Sequence, residues 1–251
     1  MAALQRSLVV APAAAESAIT PGAADDRAYL ALSERVARAK APCFWPALPG
    51  KRPLTVLERI GLIRLVSSIV GPGGEDDMLA FIEAMRHAPR GDVVEIGASS
   101  GRSAALLAWL ARRHEIGAVL CIGPWRDETA LRTFEIDLIA LAQGQLNYLR
   151  ADAGDAAARY GPGLRAVSEA FGETEYEGRI ALLHLAGGSA DVKRDLEPWR
   201  SHVAPGGWIV FDGWALADEV RRAADEFMGR EDARIAARFR AGPALFVQLK
   251  R

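Results

Sequence analysis

The chain has 251 residues, half of them hydrophobic and a quarter charged, and its 31 Lys and Arg against 32 Asp and Glu leave a formal net charge of -1. That length fits one large core, or a core domain with a helical extension; the charge balance lacks the basic face and high pI of a nucleic-acid binder. Cys43 and Cys121 are too few and too far apart for a disulfide framework or a metal knuckle. No apolar run reaches the ~20 residues that span a bilayer, so the expectation is a cytoplasmic protein with no nucleic-acid or membrane partner.

Residues 1–25 are rich in Ala, Pro and Gly and are expected to be loose. Their apolar run, Leu8 to Ala15, is broken by Pro12 and makes a poor signal peptide. Asp25 and Asp26 can start a short helix to Ala39, after which Pro42, Pro46, Pro49 and Pro53 punctuate a link. Thr55 and Glu58 have the spacing of a capping box ahead of Leu57, Ile60, Leu62, Ile63, Leu65 and Val66, which predicts a helix to about Val70. Gly71-Pro72-Gly73-Gly74 ends it, and Glu75 to His87 reads as a second amphipathic helix. Residues 26–90 are therefore expected as a helical extension of a main domain at 91–251. Packing over the sheet, covering a ligand and pairing two subunits are all open to it, and the apolar helix from Leu57 to Val70 is a candidate homodimer seam.

From Asp92 onward, apolar runs and helical periodicity alternate. The strands predicted are Val93–Ile96, Ala118–Ile122, Leu146–Leu149, Ile180–Leu185 and Trp208–Phe211, with helices at Ser103–Arg113, Glu128–Ala142, Ala156–Phe171 (interrupted by Gly161-Pro162-Gly163), Val192–Val203 and Leu216–Met228. Two final strands, Arg234–Phe239 and Ala244–Leu249, flank Ala241-Gly242-Pro243 as a hairpin. Such alternation means an α/β fold with a mainly parallel sheet and helices on both faces.

The stretch from Gly91 to Ser103 carries the most chemistry. Val93, Val94 and Ile96 form a buried strand, Gly97 and Gly101 allow a sharp turn with no side chain between backbone and ligand, and a helix follows whose free N–H groups face the turn. The spacing is E-x-G-x-x-x-G, not the G-x-G-x-x-G of dinucleotide sites. An acid two residues before the first glycine suits an ammonium group and would repel a pyrophosphate. With Glu95, Gly97 and Gly101 the pattern resembles the first motif of class I S-adenosylmethionine-dependent methyltransferases.

A second run supports that resemblance: Ile180-Ala181-Leu182-Leu183-His184-Leu185-Ala186, then Pro205-Gly206-Gly207-Trp208-Ile209-Val210-Phe211-Asp212-Gly213-Trp214. It is similar to the subfamily of macrocin-type sugar O-methyltransferases and cephalosporin-hydroxylase-like proteins. The resemblance implies a Rossmann-like methyltransferase fold, with a seven-stranded sheet whose last strand is inserted antiparallel, as the terminal hairpin also suggests. It implies S-adenosylmethionine as cofactor, with Glu95, Gly97, Ser99, Gly101 and Ser103 at the methionine end and Asp152 and Ala153 near adenine. Trp125, as an aromatic residue after a strand, is a candidate to stack on adenine or substrate, though aromatic residues at strand ends more often form the rim of a core.

The departures are specific. Gly123 stands where the family places an acid for the ribose hydroxyls; a lost charge-assisted hydrogen bond costs about 1.5–3 kcal/mol, which weakens cofactor binding without forbidding it. Ala186 and Gly213 replace two of the three acids of metal-dependent members, leaving Asp212, so no metal site is expected. His184, at the carboxyl edge of its strand, is a candidate general base or a structural histidine; Asp212 is a candidate base or substrate-orienting group, or a helix cap. The function read here is metal-independent O-methylation of a small-molecule or sugar hydroxyl. The alternative is a methyltransferase-fold protein that has lost catalysis and acts as a binding or regulatory partner.

Overall fold

The computed structural model describes residues 51–141, 146–162, 165–168, 172–186 and 191–251. The expected helix from Asp25 to Ala39, the loose segment before it and most of the proline-rich link lie outside these residues. The elements in chain order are α1 (Val56–Ser67), α2 (Glu75–His87), β1 (Asp92–Ile96), α3 (Arg102–Arg113), β2 (Val119–Gly123), α4 (Glu128–Leu141), β3 (Leu146–Arg150), α5 (Ala153–Arg159), β4 (Arg165–Ser168), β5 (Gly172–Glu175), β6 (Ile180–Leu185), α6 (Val192–Leu196), β7 (Val203–Phe211), α7 (Asp218–Glu231), β8 (Ile235–Ala241) and β9 (Ala244–Leu249).

Seven strands form one sheet in the order β3-β2-β1-β6-β7-β9-β8. β3, β2, β1, β6 and β7 run parallel, and β9 lies antiparallel between β7 and β8. This is the α/β Rossmann-like arrangement with a terminal hairpin. Each central strand is buried on both faces, which is why Val93–Ile96 and Ile180–Leu185 read as nearly unbroken apolar runs. One face of the sheet packs on α1, α2 and α3 through residues such as Val66, Phe81 and Leu107. The other packs on α5, α6 and α7 through Trp199, Phe211 and Phe227. The two N-terminal helices therefore share the core of the sheet domain.

The capping box forms in full: Thr55 Oγ1 accepts from Glu58 N–H at 3.2 Å, and Glu58 Oε2 accepts from Thr55 N–H at 2.7 Å. α1 ends at Ser67, three residues before its expected limit, and leaves Leu57 and Leu65 exposed on its outer side. No described helix is long and apolar enough to cross a membrane.

Two expected helices are corrected. The segment predicted as Ala156–Phe171 is helical only as α5; Gly161-Pro162 follows its end, and Arg165–Ser168 pairs antiparallel with Gly172–Glu175 as a separate hairpin. The alanines 156–158 favour helix locally, but proline offers no N–H to continue one. The segment predicted as Val192–Val203 ends at Leu196, two residues before Pro198, and a single 3-10 turn leads into β7, which starts at Val203 and not at Trp208.

Asp92 anchors the bottom of the sheet. Fully buried, it accepts from Tyr160 Oη (2.6 Å), Glu177 N–H (3.0 Å) and Gly178 N–H (2.8 Å), tying α5 and the entry of β6 to β1. Burial raises its carboxyl above the usual range, against the pull of these donors. Asp92→Asn would turn an amide NH₂ towards one of the three donors; we expect a loss of about 1–3 kcal/mol of stability, read by urea denaturation.

His87 and His114, both buried at helix ends, are pushed down to about 4, first by burial and then by neighbouring cations. The unfolded chain takes up their protons from about pH 6.5 downward, and the folded chain only near pH 4. Stability therefore falls on acidification through that window. Thermal melts should show a steeper decline between pH 6.5 and 4 in the wild type than in the His87→Gln/His114→Gln variant.

Candidate active site

In open α/β sheets ligands sit outside the carboxyl ends of the strands where the strand order reverses. Here that point lies between β1 and β6, since the chain goes from β1 outward to β2 and β3 and then returns to β6. Parallel register puts Glu95 beside Cys121 on one side and beside His184 on the other. The three side chains form a row on the face covered by α2, in a largely apolar layer. Glu95, Cys121 and His184 are 1%, 0% and 2% exposed.

Burial obliges these groups to find partners. Glu95 Oε1 accepts a short hydrogen bond from Ser103 Oγ in the first turn of α3, and Cys121 Sγ lies 3.7 Å from Oε2. His184 Nδ1 is 3.4 Å from Glu95 Oε1, within ion-pair range. Neither His184 nitrogen makes a hydrogen bond of good geometry among the described residues, and the Phe81 ring of α2 meets the imidazole edge-on at 4.9 Å. Burial pulls the imidazole towards neutrality, but Glu95, and behind it Asp212 and Asp77, outweigh burial and raise its basicity overall. Cys121 is held as a thiol, its acidity suppressed by burial and then by Glu95.

His184 and Glu95 open into a cleft of about 40 Å³, large enough for a water-sized or small terminal group. Ser99, Ser100, Ser103 and Asp212 line its polar side, and Val66, Met78 and Phe81 of α1 and α2 form its roof. Gly97, at φ +86°, turns the chain so tightly that a Cβ there would stand 3.0 Å from Ala186 O. Gly101 is the N-cap of α3. The next residue, Arg102, donates from Nε to Ile69 O (2.6 Å) and from Nη1 to Gly73 O (3.0 Å), fastening the α1–α2 connection over the glycine turn.

Of the residues singled out in the sequence, Glu95, Ser99, Ser103, His184 and Asp212 line this cleft, and Gly97 and Gly101 shape the turn beneath it. Trp125, Asp152 and Ala153 do not line it. Trp125 is buried against Phe134 and Tyr148, with ring centroids at 4.7 and 5.5 Å, and donates from Nε1 to Ser99 O at 3.1 Å. Asp152 is exposed at the start of α5, and Ala153 is buried with its carbonyl accepting from Trp199 Nε1. Sequence reasoning missed Arg102, Asp77 and Phe81. Arg102 adjoins the glycine motif and was detectable there; the α2 residues carry no local signature.

Residues 94–214 match the profile of a family described as a methyltransferase domain. The chain has the methyltransferase fold. A methyltransferase from Geobacter sulfurreducens aligns over 87% of this chain and 98% of its own, with a TM-score of 0.52 and 14% identity. An rRNA methylase from Streptococcus thermophilus aligns over 72% and 100%, with a TM-score of 0.51 and 12% identity. Cofactor-bound Rv0187 from MTB aligns over 76% and 88%, with a TM-score of 0.50 and 15% identity. No curated protein matches the sequence. At these identities the structures establish the fold.

S-adenosylmethionine, the cofactor this methyltransferase fold implies, fits the site unequally. The glycine turn, the serines and the start of α3 make a polar cradle suited to its amino-acid end. The end of β2 does not suit its sugar. A Cβ on Gly123 would lie 2.5 Å from Ala98 O and 3.1 Å from the Trp125 indole, so no carboxylate can stand there in this packing. Gly123→Ala is expected to destabilise the protein by about 1–3 kcal/mol through that overlap, measurable as a lowered Tm.

Proposed function

We propose that the protein is an S-adenosylmethionine-dependent methyltransferase that methylates a hydroxyl of a small molecule or sugar without a metal ion. The observation that carries this reading is the buried His184 at the switch point, its Nδ1 3.4 Å from Glu95 Oε1, with both residues bordering the cleft. A buried carboxylate and imidazole are costly unless they face each other, and their place at the carboxyl edge of β1 and β6 is where ligands bind in such sheets. The run from Ile180 to Trp214 supports placing the chain beside the macrocin-type O-methyltransferases.

The cofactor supplies a methyl group already activated on a sulfonium. What the protein must add is alignment, exclusion of water and removal of one proton. Glu95 faces Nδ1 and favours the tautomer that carries its proton there, which leaves Nε2 to take the proton of an acceptor hydroxyl. Asp212, half-buried at the mouth, is placed to orient that hydroxyl. Ala186 and Gly213 offer no side-chain oxygen beside Asp212, which supports chemistry without a metal.

Titration calorimetry with S-adenosylhomocysteine should give a Kd no weaker than about 1 mM; absence of heat at saturating ligand removes this reading. NMR of the imidazole should show His184 titrating above the ordinary histidine value in the wild type. Glu95→Gln should move it down, with neutral imidazole then persisting to lower pH. An unchanged titration in Glu95→Gln would remove the proposed base.

A further inference from the structure

The sugar side of the site is not merely short of an acid. In Rossmann-like sheets the ribose of a bound nucleoside lies over the carboxyl end of the second strand, beside the glycine turn that follows the first. The indole of Trp125 occupies the space between those same two features. Its Nε1–H is bonded to the Ser99 carbonyl of the turn, and two of its ring carbons lie 3.1 and 3.2 Å from where a Cβ on Gly123 would be.

The ring is also enclosed. Phe134 and Tyr148 pack against it, and the residue is 4% exposed, so neither face is free for a base to stack on. Its backbone is held at φ +26°, a conformation bulky residues rarely adopt. The indole is the edge of the core on this side, and the chain on either side of it is exposed at Pro124, Arg126 and Asp127.

We propose that Trp125 plugs the nucleoside half of the site and swings away when S-adenosylmethionine binds. This rests on the methyltransferase reading above and adds a gate to it. Gly123 and Trp125 form one device: the glycine leaves room for the indole, and the indole does for the empty site what a ligand's sugar would do for the filled one. The Ser99 carbonyl is the catch, and its release frees an acceptor on the turn itself.

The full-length protein tests this with S-adenosylhomocysteine as probe. The emission of Trp125, taken as the difference between wild type and Trp125→Phe, should shift to the red on saturation as the indole leaves its apolar cage. Trp125→Ala should bind the probe roughly tenfold tighter, since no hydrogen bond or ring contact is then broken on entry. Trp125→Phe, which keeps the ring contacts and loses the N–H, should fall between. Binding with Trp125 emission unmoved overturns the plug, as does weaker binding by Trp125→Phe, the result expected of a stacking platform; both leave the methyltransferase reading standing. If neither wild type nor either variant binds, plug and cofactor reading fall together. Should Trp125→Ala fail to fold, the emission difference and Trp125→Phe decide alone.

Discussion

The parallel register of β2, β1 and β6 is the constraint from which the site follows. It places a thiol, a carboxylate and an imidazole side by side on one face of the sheet, in a layer filled elsewhere by valine, leucine and phenylalanine. A carboxylate in that position must be surrounded by donors or it would cost several kcal/mol. Ser103 reaches it from the first turn of α3, Cys121 from one neighbouring strand and His184 from the other. Three side chains of the protein thus surround the carboxylate, which also borders the cleft.

The amino-acid pattern made the scaffold readable because each central strand is buried on both faces and several turns are marked by glycine or proline. Glu95, Gly97 and Gly101 announced the first crossing, and Pro205-Gly206-Gly207 with the apolar run after it announced β7. Local propensity misled where distant packing decides. Alanines 156–158 argued for a long helix, yet Tyr160 turns inward to Asp92 and the chain goes on to a hairpin. The roof was illegible for a related reason: α2 showed amphipathic spacing, but nothing in that spacing says that Phe81 meets His184. Trp125 could be read as platform or as rim, and only its neighbours distinguish the two.

The two halves of the site differ in character. On the side of β6 and β7 the walls are polar, with His184 and Asp212 lining the cleft. On the side of β2 and β3 they are aromatic, with Trp125, Phe134 and Tyr148 in mutual contact. The groups proposed for proton transfer are therefore preorganised, while the side proposed for the nucleoside is closed. Binding energy from the nucleoside would have to be divided between holding the ligand and parting those rings.

Arg102 joins the roof to the turn through main-chain carbonyls, not through side chains. Residue 69 can consequently drift in identity without loosening the fastening, which asks only that position 102 keep its guanidinium. The outward positions beside it, such as Val70, can vary without touching this fastening.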